Sequence, residues 1–219
     1  MLKNIIKNPL ALIILAFFLV FFAEYPALFL IKYGILNYSS IGFQIIDTLN
    51  AFTMMFIVPA IIINFFLKKP LSDFGLSVPV NIKQSILLTC LTILVFSPLI
   101  YFLSLQSNFQ NFYITKTNAL YFLTYSISGI FYYFAEEFIF RGFLHFGLWN
   151  RFKFHTIWII NIVFAIFHLN KPPLEFYFAL LLGIALNYLS YKTKSFIPAV
   201  IVHFTLALIL NILVTFIFI

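Results

Sequence analysis

With 219 residues, 63% of them hydrophobic and only 9% charged, and a mean hydropathy of +1.08, the chain is no ordinary soluble domain, where about a quarter of residues are charged. The reading is a polytopic all-α membrane protein forming a single helical domain over 1–219, with no Gly/Ser linker, low-complexity tract or internal repeat. A net charge of +7 would suggest nucleic acid in a soluble protein; here it belongs to the connections between spans, and the lone Cys90 excludes an internal disulfide and any multi-cysteine metal site.

A spanning helix needs about 20 apolar residues. In chain order the candidates are 9–31, 41–67, 84–105, 119–148, 154–170, 174–191 and 196–219, a bundle of about seven transmembrane helices in which 154–170 is the shortest. The first resembles a signal peptide because Lys3 and Lys7 precede it. Its apolar run is too long for that and no A-x-A site follows, so a retained helix is expected. Lys3, Lys7, Lys68, Lys69, Lys83, Arg151, Lys153, Lys192 and Lys194 fall on one set of alternate connections, against Lys32, Lys116 and Lys171 on the other. The positive-inside rule then places the protein in the cell membrane with its N-terminus in the cytoplasm.

The fourth segment stands apart. Glu136, Glu137 and Arg141 lie within six residues of one another in an almost unbroken apolar stretch, 119–149. Each ionisable group at membrane depth costs roughly 2.5–3.5 kcal/mol on insertion scales, so such groups face a protein interior or a wet cavity and are functional by default. Glu137 and Arg141 are spaced i,i+4 in the favourable order and should neutralise each other. Glu136, about 100° round the helix, has no local cation. Its sharp reading is a general base tuned by partial desolvation; the bland one pairs it structurally with a distant His.

Depth supplies a second constraint. The connection near Arg151 makes the fourth and fifth spans an antiparallel hairpin. Glu136 lies 16 residues before Phe152 and His168 lies 16 after it, so at ~1.5 Å per residue both sit roughly 20–25 Å from the turn. His203, nine residues beyond Lys194, enters on the last span at a shallower level that tilt can offset. His145 and His155 flank the turn and are expected at the interface.

These residues resemble a known family. Ala135-Glu136-Glu137-Phe138-Ile139-Phe140-Arg141-Gly142 is similar to the Glu-Glu-x-x-x-Arg motif of the CAAX-protease and bacteriocin-processing (CPBP) membrane family. Phe164-Ala165-Ile166-Phe167-His168 is similar to its Phe-x-x-x-His motif, and Ile197-Pro198-Ala199-Val200-Ile201-Val202-His203 to the approach to its His-x-x-x-Asn/Asp motif. The resemblance covers about 119–211, the expected catalytic core, and the 68–79 connection with Asp73-Phe74-Gly75-Leu76 also looks similar. It implies an intramembrane glutamic endopeptidase acting on a peptide or protein in or at the membrane, such as a prenylated peptide. Glu136 with His168 would activate a water, Glu137 and Arg141 would hold the site, and His203 would donate to the oxyanion. Phe164, one turn before His168, would pack. No cofactor, no metal and no nucleic-acid partner is expected.

Ala207 departs from the third motif, where the resemblance implies an Asn or Asp assisting the second His; Asn211 is a turn too far. Asn187 or Asn161 could take that role, or could serve as interhelical hydrogen-bond residues. Two other classes share the residues. A Glu with two His could bind zinc, though no H-E-x-x-H is present. The polar cluster could instead be structural in a non-hydrolytic bacteriocin-immunity or regulatory membrane protein, which Ala207 favours. A transporter weighs least: only Glu24 and Asp47, on the first two spans, speak for it, and no inverted repeat does.

Overall fold

The computed structural model describes residues 8–35, 40–113 and 119–217, without the side chains of Glu24, Ala27, Leu28 and Ala119. Lys3, Lys7 and Lys116 and the Glu24 side chain, used above, lie outside that description. The protein is all-helical, with no strand among the described residues.

Helix α1, Pro9–Lys32, begins where the Asn8 side chain accepts from the Leu10 N–H at 3.0 Å and Pro9 supplies a preset φ at the first position. Helix α2, Ile41–Leu67, contains two π turns, Thr53–Ile57 and Ile62–Leu67. A 3₁₀ turn, Leu71–Phe74, leads to α3, Ile82–Ser104, and the short α4, Ser107–Tyr113. Helix α5 starts at Ala119–Glu137, widens into a π segment over Phe138–Leu144 and closes with His145–Phe152. Then come α6, His155–Ile166, α7, Pro173–Thr193, and α8, Ile197–Ile217.

Four of these, α2, α3, α7 and α8, are long and apolar enough to cross a membrane. Much of their outer surface is apolar: Phe65, Leu94 and Val95 are each about two-thirds exposed, an arrangement suited to lipid. The sequence led to a fifth span over 154–170, but α6 has only 12 residues, about 18 Å of helix. Its end is local. The His168 N–H turns back to the Ala165 carbonyl, and Pro172 and Pro173 remove two donors while pushing Lys171 out of helical geometry.

Helix α5 is central, packing on α2 and α8, while α7 packs on α6, α3 and α8. The 68–80 connection is strapped beneath it. Phe74 stacks on Phe143 with ring centroids 6.2 Å apart. Gly75 takes a positive φ of +79°, and a Cβ there would collide with the Phe146 ring. Its carbonyl accepts from the Phe196 N–H at 3.2 Å, and the Thr193 carbonyl accepts from the Val80 N–H at 3.1 Å. The strap thereby fixes the α7–α8 connection relative to α5, and with it the register of His203.

Candidate active site in the bundle interior

Glu136 and Glu137 close the α-helical part of α5, and the π segment starts at the next residue. A π turn inserts one residue per turn and is common at functional sites. Every residue from Phe138 to Leu144 is buried. Arg141 is fully buried among them, and its Nη1 donates to Glu137 Oε1 at 3.1 Å. The i,i+4 pairing expected from the sequence is therefore present. Arg141 also lies over the Phe164 ring, with Cζ 4.1 Å from the centroid. Phe164 thus does more than fill space: its face supports a buried cation where solvent cannot.

Helix α7 makes room for this guanidinium at Gly183. A Cβ there would collide with Asn161 Oδ1 and lie 3.2 Å from Arg141 Nη2. A glycine is required because three helices meet at one point.

His203 comes in from α8. Its Nδ1 donates to Glu137 Oε1 at 2.7 Å and stands 3.7 Å from Glu136 Oε2. The sequence assigned Glu137 to Arg141 alone, whereas in the structure one carboxylate oxygen serves both Arg141 and His203. Glu136, Glu137 and His203 bring ligand-type atoms within 4.8 Å of one another. With His203 protonated, the two carboxylates and two cations sum to zero charge, which lowers the cost of burying them together.

Glu136 is buried and beyond hydrogen-bond distance of His203. That leaves its carboxylate with acceptor capacity that a water can take up. His168 is buried just past the end of α6, and its Nδ1 donates to the Phe164 carbonyl at 2.9 Å. A carbonyl can only accept, so Nδ1 carries the proton and a neutral ring keeps its lone pair on Nε2. Phe140 of α5 faces Phe164 of α6 with centroids 5.2 Å apart. Glu136 lies four residues before the first and His168 four after the second, on the two arms of the α5–α6 hairpin.

The remaining candidates fall elsewhere. Asn187 donates to the Gly183 carbonyl at 2.8 Å and its Oδ1 meets His145 Nδ1 at 3.2 Å; Asn161 donates to the Leu180 carbonyl at 2.8 Å. Both are interhelical or helix-internal hydrogen-bond residues and neither replaces the missing amide at position 207. His145, expected at the interface, is buried against Asn187 and stacks on Trp149, rings 5.1 Å apart. The last turns of α5 pack on α6, on the 71–74 turn and on α1, which covers His145. His155 is exposed, as expected.

A cavity of about 50 Å³ adjoins the cluster, lined by His203, Ala207, Tyr133, Lys171, Glu175 and Tyr113 among others. That volume accommodates roughly three or four water-sized positions. The ion pair at its far side was not singled out in the sequence. Lys171 Nζ lies 3.3 Å from Glu175 Oε1, and Tyr113 donates to Glu175 Oε2 at 2.6 Å. Burial pulls the Lys171 ammonium down, but Glu175, and beyond it Tyr132 and Glu136, hold it well above the usual lysine range. Burial and then the Glu175 charge hold the Tyr113 phenol well above its ordinary value. The available signal was the i,i+4 spacing of Lys171 and Glu175 across Pro172-Pro173, at the acidic N-terminal turn of α7.

Residues 116–209 match the family model described as type II CAAX prenyl endopeptidase Rce1-like. That segment is similar to the Rce1-like family. It contains Glu136, Glu137, Arg141, His168, His203 and Ala207, and it agrees with the CPBP resemblance carried by the motifs. The Rce1-like family is one of membrane proteases, in keeping with the apolar helices of this chain. No curated protein and no solved structure gives a significant match.

Proposed function

We propose that the protein is an intramembrane glutamic endopeptidase, an enzyme of the cell membrane with its N-terminus in the cytoplasm, hydrolysing a peptide bond in a membrane-associated peptide or protein. The observation that carries this reading is the unequal use of two adjacent buried carboxylates. Glu137 is occupied by Arg141 and His203, and Glu136 is not hydrogen-bonded to either. Amide hydrolysis needs a base, a positioned water and a donor where negative charge grows. Glu136 takes the proton from water, with His168 Nε2 as the second acceptor. The hydroxide equivalent attacks the scissile carbonyl, and His203, held by Glu137, faces the developing oxyanion. The proton then passes to the leaving amine.

The seven-span reading fits this role if α1, α5 and α6 also cross or enter the bilayer, which would put the cluster within the bundle. Glu136, Glu137 and His203 could alternatively hold a divalent cation. The Arg141 guanidinium on the same Glu137 oxygen argues against that, since it competes for the lone pairs a metal would need. The non-hydrolytic immunity reading is not favoured by the Rce1-like match. The test is cleavage of a labelled peptide library by purified protein, with and without chelator. Cleavage that survives the chelator is expected. Absence of cleavage, or its complete loss on chelation, would contradict the proposal.

A further inference from the structure

The motifs leave Lys171 unused, yet it lines the same cavity as His203 and Ala207. Lys171 is partly buried, its side chain 28% exposed, and its partner here is well fixed. Glu175 is itself buried, and its two oxygens are divided between Lys171 at 3.3 Å and the Tyr113 hydroxyl at 2.6 Å. A purely structural clamp between α4 and α7 needs only the Tyr113–Glu175 bond. The ammonium adds a fixed positive charge with two further N–H donors beside a wall where Ala207 offers only a methyl.

We propose that Lys171 is a further catalytic residue of this site, its ammonium donating to the oxyanion formed when water attacks the scissile carbonyl, in the place where Ala207 provides no donor. The inference rests on the endopeptidase reading. The step adds no reagent: the C–O bond forms as Glu136 takes the water proton, the carbonyl electron pair moves onto oxygen, and Lys171 and His203 face that oxygen. When the tetrahedral species collapses, the pair returns and the C–N bond breaks, the amine leaving with the proton. Glu175 holds Lys171 charged and oriented, and Tyr113 holds Glu175; both are positioning residues.

The test compares kcat and KM on a library peptide that the wild-type protein cleaves. The variants are Lys171→Met, Lys171→Arg, Lys171→Met/Glu175→Gln and Lys171→Met/Ala207→Asn, with Glu136→Gln alongside. The double variant Lys171→Met/Glu175→Gln removes both charges, so it folds even where Lys171→Met leaves Glu175 buried and unpaired. The expected result is a fall in kcat of about 10²–10³-fold in Lys171→Met and in Lys171→Met/Glu175→Gln, with KM changed less than about threefold. Lys171→Arg should retain most activity, and Ala207→Asn should restore at least about tenfold to Lys171→Met, which a merely structural lysine would not allow. A folded double variant with kcat within about threefold of wild type, or a loss confined to KM, overturns the proposal. If Glu136→Gln is inactive in that same experiment, only the role of Lys171 has failed. If Glu136→Gln is as active as wild type, the endopeptidase reading falls and this inference with it.

Discussion

His203 and Glu137, 66 residues apart in sequence, share a 2.7 Å hydrogen bond in the bundle interior, while Glu136 stands 3.7 Å from the same imidazole nitrogen. That difference of one ångström divides two neighbouring carboxylates into different chemical situations. Glu137 Oε1 carries two partners, Arg141 and His203, and its work is to hold them. Glu136 stands beside the same imidazole without a donor that occupies it.

The division predicts opposite phenotypes for two isosteric changes. Glu136→Gln should remove hydrolysis, by at least about 10²-fold for loss of a general base, with little change in melting temperature. Glu137→Gln should strand Arg141 and His203, a loss on the order of 3–5 kcal/mol for one partner of a buried pair. Thermal melts in detergent read this directly, and indistinguishable melts for the two variants would contradict it.

Gly183→Ala should damage the site from outside it. The new methyl meets Asn161 and Arg141, and overpacking of this kind costs about 1–3 kcal/mol. Both stability and turnover should fall. Ala at position 129, where a Cβ meets nothing closer than 3.6 Å, serves as the control and should be tolerated.

The cavity triad predicts an alkaline limit on stability. Lys171 binds its proton more tightly folded than unfolded. Its contribution is therefore complete below the unfolded lysine value of about 10.4 and is lost as pH rises through the higher folded value. Tyr113, raised in the same direction, adds to the fall. Melting temperatures measured from about pH 10 upward should drop for wild type and drop less for Lys171→Met/Glu175→Gln; parallel profiles would contradict the assignment.

Orientation is tested with thiol labelling on a Cys90-free background, since the native thiol is itself exposed. Cysteines near Ser72 and Lys153 should react only from the cytoplasm and those near Asn111 only from outside, following the split of basic connections. An inverted pattern would remove the basis for a cytoplasmic N-terminus.

The fold class and the Glu137–Arg141 pair were legible in the sequence because both follow from short-range rules: apolar run length, and i,i+4 spacing. The α5–α6 hairpin also followed from the sequence, and the Phe140–Phe164 ring contact pairs its two arms. What could not be read was tertiary. The approach of His203 to Glu137 depends on the strap at Gly75 fixing α8, and the burial of His145 depends on Asn187 of α7 and on the neighbours packed against the end of α5. The shortness of α6 was readable from Pro172-Pro173, but 154–170 is apolar throughout and hydropathy alone extends the helix past its end. Lys171 was read only as a connection charge, which is what it looks like until Tyr113 and Glu175 are seen around it.

The central claim is that Glu136 activates the water. The most direct measurement is the turnover rate of purified Glu136→Gln against wild type on one cleaved peptide, with chelator present in both. The account predicts robust wild-type cleavage under chelator and none detectable from a folded Glu136→Gln. A folded Glu136→Gln that cleaves at the wild-type rate would contradict it.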